Sequence, residues 1–145
     1  MSNIFKDCIS LSELNIDNFN TSSVEKMTSF FQNCNSLTSL TISNFDTSKV
    51  TDMQYMFKNC GLLTSLDLSN FNTAKVVNMK EMFNSCTLLE LLDLHSFDFD
   101  SCEEYSSMFD HINNLTIMVN YEKFKKIVNV LTPNITIINM TSLWN

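Results

Sequence analysis

Residues 63–86 read LTSLDLSNFNTAKVVNMKEMFNSC, and this stretch decides the fold because the chain repeats it. Columns of leucine, phenylalanine, methionine and valine recur at intervals of 26 residues on both sides of it. A single fixed period is typical of a repeat architecture, in which each unit buries its apolar side against its neighbours. The clearest column is the motif Phe-x-x-Cys, with copies at Phe5/Cys8, Phe31/Cys34, Phe57/Cys60 and Phe83/Cys86, followed by Phe109/Ile112.

Each unit combines two periodicities. Residues 63–68 alternate at their end between apolar and polar side chains, which predicts a short strand with one buried face. Residues 50–57 place apolar side chains at i, i+3, i+6 and i+7, which predicts a helix of about three turns. Between the two halves lies Asp-Thr-Ser at residues 46–48, whose side chains predict the N-cap of that helix.

Stacked units of this kind would place the strands on one face and the helices on the other. We therefore predict an α/β fold, a leucine-rich-repeat solenoid of about five 26-residue strand–turn–helix units with a parallel sheet on one face. Residues 1–120 form the array. Residues 121–145 are predicted to form a C-terminal cap of one helix, which ends at Pro133, and one strand that closes with Leu143 and Trp144. A polar column after each strand is expected to bond the adjacent turn, and its members are Asn18, Asn44, Asn70 and Ser96.

The composition excludes several classes of function. The net charge is −7 and all nine basic residues are lysines, so nucleic acid is not an expected partner. No apolar run approaches the ~18 residues that a membrane helix needs, so we expect no membrane insertion. The N-terminus MSNIFKDCIS lacks the pattern of a secretory signal.

The chemistry-bearing residues favour structural roles. The five cysteines lack the paired short spacing of a zinc site. The isoleucine in the column of Cys8, Cys34, Cys60 and Cys86 indicates that these four thiols are buried and reduced, and free thiols fit a reducing compartment. Residues 98–104 resemble the start of a calcium loop without its glycine and closing glutamate, and are predicted to be a solvated acidic turn. His95 and His111 lie near no nucleophile–acid set. We expect no enzyme activity, no metal and no cofactor.

The unit at residues 63–86 resembles the 26-residue repeat of the BspA-like leucine-rich repeat surface proteins of bacteria, and the resemblance extends from residue 1 to about residue 119. It implies a non-catalytic protein-interaction module of the cell surface or of secreted proteins, with roles in adhesion and host contact. A structural component of a larger complex or viral particle is the alternative function.

Outward positions of the strands form the predicted interaction face for a protein or glycan ligand. Their pattern is polar and acidic at first and turns apolar from Leu91, with Ile117 and Val119 expected at its end. We also predict self-association through the N-terminal edge, where Ile4 and Phe5 occupy core columns with no strand before them. The candidate face comprises Glu13, Asn15, Asp17, Ser39, Thr41, Ser43, Ser65, Asp67, Ser69, Leu91, Asp93 and His95.

Overall fold

The computed structural model describes residues 1–142, so Leu143 and Trp144 lie outside the described residues. Its architecture is α/β, as predicted, with short strands, parallel pairing and little helix. In chain order the elements are β1 (Glu13–Asn15), β2 (Ser39–Thr41), β3 (Ser65–Asp67), β4 (Leu91–Leu94), β5 (Leu115–Val119), α1 (Tyr121–Phe124), a 3₁₀ helix (Lys125–Val130), β6 (Ile135–Asn139) and a second 3₁₀ helix (Met140–Ser142).

The strands pair in parallel, and two of the pairs have the 26-residue interval that the sequence predicts. Leu14 on β1 lies opposite Leu40 on β2, and Leu66 on β3 lies opposite Leu92 on β4. The strands nevertheless form two sheets, β1-β2 and β3-β4-β5-β6, because no strand pairing joins β2 to β3. The predicted parallel pairing is therefore confirmed, whereas the expected single sheet is interrupted.

Aromatic columns run through the core from copy to copy. The ring centroids of Phe31 and Phe57 are 5.5 Å apart, and the rings are stacked within 13° of parallel. Phe57 and Phe83 lie 5.7 Å apart, and Phe83 and Phe109 lie 5.8 Å apart, also stacked. These four rings are fully buried, so stacking of the copies covers apolar surface that a single unit would expose.

The predicted helix in each unit is wrong, because the chain there forms successive turns. We call residues 1–8, 27–34, 53–60, 79–86 and 105–112 the turn segments. In an α-helix the N–H groups would bond within the segment. Here the Met27 N–H donates to the Asp52 carbonyl at 2.9 Å and the Phe31 N–H donates to the Met56 carbonyl at 2.9 Å, both in the following copy. The backbone therefore forms a ladder between copies on the side opposite the strands.

Two residues in each turn segment adopt left-handed backbone angles. In the second segment they are Ser29, with φ of 56°, and Asn33, with φ of 63°. Each is the third residue of a four-residue turn, since the Phe30 N–H donates to the Met27 carbonyl and the Cys34 N–H donates to the Phe31 carbonyl. A positive φ at that position is the mark of a type II turn, for which Asn is one of the suited residues.

A threonine ladder replaces the predicted helix caps. The Thr47 hydroxyl donates to the Asn72 carbonyl at 3.0 Å and accepts the Asn72 N–H at 2.8 Å. Thr21 and Thr73 make the same pair of bonds to the copy that follows. The neighbouring Asp46 carboxylate accepts the N–H of Ser48 and thereby closes a local turn, with no helix to cap.

The polar column after the strands bonds the preceding copy, as predicted. The Asn44 amide donates to the Asp17 carbonyl at 3.0 Å, and the Ser96 hydroxyl donates to the Leu68 carbonyl at 3.2 Å. The Asn70 amide donates to the carbonyls of Ile42 and Phe45. These bonds satisfy backbone groups that the short strands leave unpaired.

The last array strand departs from the predicted register. Leu92 on β4 lies opposite Ile117, not Met118, because the connection that leads into β5 is one residue shorter than in the earlier copies. Ile117 and Val119 are consequently buried, so the expectation that they face outward is wrong. Thr116 and Met118 take the outward positions and are partly exposed.

The C-terminal segment packs onto this last copy. β6 pairs in parallel with β5, with Ile137 opposite Ile117. The single predicted helix is one turn of α-helix followed by a 3₁₀ helix. Phe124 and Ile127 point from these helices into the core, and the Phe124 ring meets Phe99 at 5.6 Å in an edge-to-face contact.

Candidate functional site: the strand face

The predicted outward residues do lie outward on β1 to β4. On β1, β2 and β3 the middle leucine points inward and its two neighbours are exposed. Alternation places residues i and i+2 on one side of a strand, so the copies add their polar residues to one continuous surface. We call this surface the strand face: Glu13, Asn15, Asp17, Ser39, Thr41, Ser43, Ser65, Asp67, Ser69, Leu91, Asp93 and His95, together with Thr116 and Met118.

The interruption between β2 and β3 opens a cleft of about 440 Å³ in the strand face. Four of the predicted residues line it, together with Leu40, Ile42 and Asn70. The turn segments below remain paired, since the Phe31 N–H still donates to the Met56 carbonyl. The second and third copies are thus joined through their turn segments, whereas their strands, β2 and β3, are not paired. The predicted residues in this cleft are Thr41, Ser43, Asp67 and Ser69.

A second cleft, of about 270 Å³, lies over β3, β4 and β5. It combines two carboxylates, Asp67 and Asp93, with the apolar side chains of Leu91 and Met118. Leu91 is 42% exposed, although it lies in the middle of the four-stranded sheet. Acidic and apolar groups therefore meet above three hydrogen-bonded strands.

Hydrogen bonds fix the acidic side chains of the strand face. The Asp67 carboxylate accepts the Ser69 N–H at 2.9 Å, and the Ser69 bonds, with His95 nearby, hold the pKa of Asp67 below its ordinary value. The Asp93 carboxylate accepts the His95 N–H at 3.0 Å and lies 2.6 Å from His95 Nδ1. The Asp67 carboxylate is therefore ionised at neutral pH. Hydrogen bonds hold both carboxylates in place for a cationic or hydrogen-bond-donating group.

The other predicted residues lie on the same surface outside the two clefts. The Asp17 carboxylate accepts the Ser43 hydroxyl at 3.0 Å, which links the first copy to the second. Glu13, Asn15 and Ser39 line neither cleft. Sequence reasoning missed the outward position of Met118, although the alternation of Leu115, Ile117 and Val119, with only two residues from Leu115 to Ile117, signals it.

The cysteines are buried thiols, with one correction. Cys34, Cys60 and Cys86 are buried, as predicted, and Cys102 is buried too, but Cys8 is only partly buried. The Cys60 thiol donates to the Phe31 carbonyl at 3.2 Å, and Cys34 and Cys86 make equivalent bonds to the copy before. Burial raises the pKa of Cys34 to about 11 and that of Cys86 to about 12, so these groups are poor nucleophiles at neutral pH.

Lysine side chains interact with the acidic turn that resembles a calcium loop. The Lys123 ammonium lies 3.2 Å from the Asp98 carboxylate. The Lys126 ammonium donates to the carbonyls of Phe99 at 3.0 Å and Asp100 at 2.9 Å. The Asp100 N–H and Lys123 lower the pKa of Asp98. Across residues 1–142, no three His, Cys, Asp or Glu side chains converge as a metal site would require.

Comparison with known proteins identifies a family. Residues 1–127 match the family model described as "Mycoplasma protein of unknown function, DUF285". The searches of curated proteins and of solved structures gave no match. Within the described part of the chain, no helix has the length and apolarity needed to cross a membrane.

Proposed function

The chain belongs to the DUF285 family, which is related to the BspA-like repeats, and from that premise we propose that it is a non-catalytic interaction module whose ligand binds the strand face. The proposed scaffold is a leucine-rich-repeat solenoid of five units. The 26-residue interval of the strand pairing and of the stacked phenylalanine rings supports it. The ligand is a protein or a glycan, in keeping with an adhesion or host-contact role.

The second cleft carries this proposal. A solvent-facing position in a parallel sheet is ordinarily polar when nothing covers it. Leu91 and Met118 instead present apolar surface between the carboxylates of Asp67 and Asp93. Binding sites commonly combine an apolar contact area with a few fixed polar groups that set specificity. The cleft has both, and its base is held by the hydrogen bonds of β3, β4 and β5.

A pair of matched lysine variants tests the proposal. Leu91 and Val77 are both 42% exposed, but Val77 lies beside the turn segment at residues 79–86, away from the strand face. Immobilised wild-type protein, Leu91→Lys and Val77→Lys are each incubated with a host-cell surface extract, and the captured proteins are quantified. We expect Leu91→Lys to reduce specific capture by at least about fivefold, since it places a charge in an apolar contact. Val77→Lys should leave capture unchanged.

Two further variants, Asp67→Asn and Asp93→Asn, remove the charges while keeping the shape of the cleft. They should weaken capture and reduce its salt dependence, because fixed carboxylates attract a basic partner most strongly at low ionic strength. Equal capture by all strand-face variants and the wild type would show that the ligand binds elsewhere.

A further inference from the structure

The hydrogen bonds between turn segments all run in one direction. In each of the first four segments alternate N–H groups point toward the following copy and donate to a carbonyl 25 residues further along the chain, as Met27 does to Asp52. The Phe57 N–H donates to Met82 at 2.9 Å, and the Phe83 N–H donates to Met108 at 3.1 Å. The side of a turn segment that faces the preceding copy, its N-terminal side, therefore presents carbonyl acceptors. The side that faces the following copy, its C-terminal side, presents N–H donors.

The first turn segment leaves its row of acceptors open. The carbonyls of Ser2, Ile4 and Lys6 are equivalent to those of the second segment that accept the N–H groups of the first. No N–H group of the described residues donates to them. The matching bonds one copy later are Asn3 to Thr28, Phe5 to Phe30 and Asp7 to Gln32, with donor–acceptor distances of 2.8–3.0 Å.

Side chains on the same surface also lack contacts that the equivalent side chains make in the next copy. We call this surface the N-terminal face: Ile4, Phe5, Asp7, Cys8, Ile9 and Leu11 with the three carbonyls. Phe5 is partly exposed, whereas Phe31 in the next copy is fully buried. The Cys34 thiol donates to the Phe5 carbonyl, but the Cys8 thiol has no acceptor in the described part of the chain. Ile4 and Ile9 are 47% and 59% exposed.

We propose that the N-terminal face binds one further coil of the 26-residue repeat, docked through the C-terminal side of its turn segment. Such a coil presents N–H donors at every second residue, which match the carbonyls of Ser2, Ile4 and Lys6 in the register of the internal ladder. Its Phe-x-x-Cys phenylalanine supplies a ring to stack on Phe5 and a carbonyl to accept the Cys8 thiol, as Phe31 does for Cys60. The occupant is thus defined by hydrogen-bond polarity as well as by apolar area.

A second copy of this chain does not meet these requirements. Two N-terminal faces related by a two-fold axis would oppose one row of carbonyls to another, and neither row could donate. The C-terminal end of the chain is also unsuitable, because β6 pairs with β5 and takes the position that the strand of an incoming copy would need. The two-fold self-association expected from the sequence is therefore disfavoured by backbone polarity, although the face is apolar.

Fusion of a repeat in register tests the proposal. Residues 27–52 are placed directly before Met1, so that Asp52 precedes Met1 as it precedes Met53 in the chain. The fused coil would then direct its N–H groups at Ser2, Ile4 and Lys6. We expect alkylation of Cys8, measured by peptide mass spectrometry, to slow at least tenfold, toward the rate of Cys34. The midpoint of thermal unfolding should rise by several degrees.

The control carries the same 26 residues in scrambled order, and a second fusion carries residues 53–78, which continue the register equally well. Protection of Cys8 by both native-order fusions but not by the scrambled segment supports the proposal. Rapid labelling of Cys8 in both native-order fusions overturns it. Sedimentation equilibrium of the unfused chain gives an independent result, since a dimer that already protects Cys8 would also overturn it.

Discussion

Replacement of Thr47 by valine should destabilise the protein far more than the small change in shape suggests. Thr47 is 1% exposed, and its hydroxyl both donates to the Asn72 carbonyl and accepts the Asn72 N–H. The valine side chain has nearly the same shape as that of threonine but no hydroxyl, so the N–H and the carbonyl of Asn72 would both lose their hydrogen-bond partner. Strand pairing cannot replace these bonds, because β3 ends at Asp67.

The expected loss of unfolding free energy follows from the two backbone groups of Asn72 that would be left unpaired. Each buried donor or acceptor without a partner costs about 1–3 kcal/mol, and the added methyl group returns up to about 0.8 kcal/mol by burial. Since Asn72 lies near the surface and water reaches part of it, the lower part of that range applies. We expect Thr47→Val to lower the free energy of unfolding by about 2 kcal/mol.

Urea unfolding followed by far-UV circular dichroism measures the effect. Thr47→Ser keeps the hydroxyl and should cost less than Thr47→Val, although it removes a methyl group. Thr41→Val makes the same chemical change at an exposed strand position and serves as the surface control. A loss for Thr47→Val within about 0.5 kcal/mol of the Thr41→Val value would refute the reasoning, because it would mean that the threonine ladder does not contribute to stability.

Four other experiments have defined outcomes. Ser29→Gly should raise the free energy of unfolding by about 0.5 kcal/mol, because relief of the left-handed strain of about 1–2 kcal/mol exceeds the entropic cost of glycine. Ser29→Ala should give no gain in the same urea assay. Native-state alkylation should modify Cys8, whereas Cys34 and Cys86 should react only after unfolding. Burial raises the pKa of Cys34 from its ordinary value of 9.0 to about 11. The contribution of the neutral Cys34 thiol to stability is therefore complete below pH 9.0 and is lost as the pH rises through 11. Urea midpoints measured from pH 8 to 11 would show this loss. Deletion of residues 121–145 would uncover the edge of β5 and cause aggregation, detected by light scattering, and a truncated chain that stays monomeric with the parent melting temperature would contradict this.

The repeat made the strands, the core columns and the outward residues predictable from the sequence. Residues related by the period occupy equivalent places, so the inward leucines and the stacked phenylalanines could be identified without a structure. The turn segments could not be distinguished from helices in this way. The spacing of Met53, Met56 and Phe57 suits one face of a helix, but it suits a succession of turns equally well. The choice depends on where the N–H groups find acceptors, and those acceptors belong to another copy.

One signal against the helices was present. Asn33 and Asn59 lie in the same column inside the predicted helices, and asparagine tolerates the left-handed angles that both residues adopt. The interruption between β2 and β3 had no comparable signal, because Leu40 and Leu66 belong to one unbroken column. The first cleft of the candidate site therefore required the structure, whereas the outward placement of Asp67, Leu91 and Asp93 in the second did not.

The one-way ladder of the turn segments also makes the molecule electrically polar along its axis. Each peptide group in the ladder points its carbonyl toward the N-terminal end and its N–H toward the C-terminal end. A peptide unit carries a dipole of about 3.5 D, and aligned units add head to tail. The N-terminal end therefore gains partial negative charge, the opposite polarity to an α-helix. The terminal ammonium of Met1 lies at this end and donates to the Lys26 carbonyl at 3.0 Å. Each added repeat would lengthen this dipole without adding net charge to either pole.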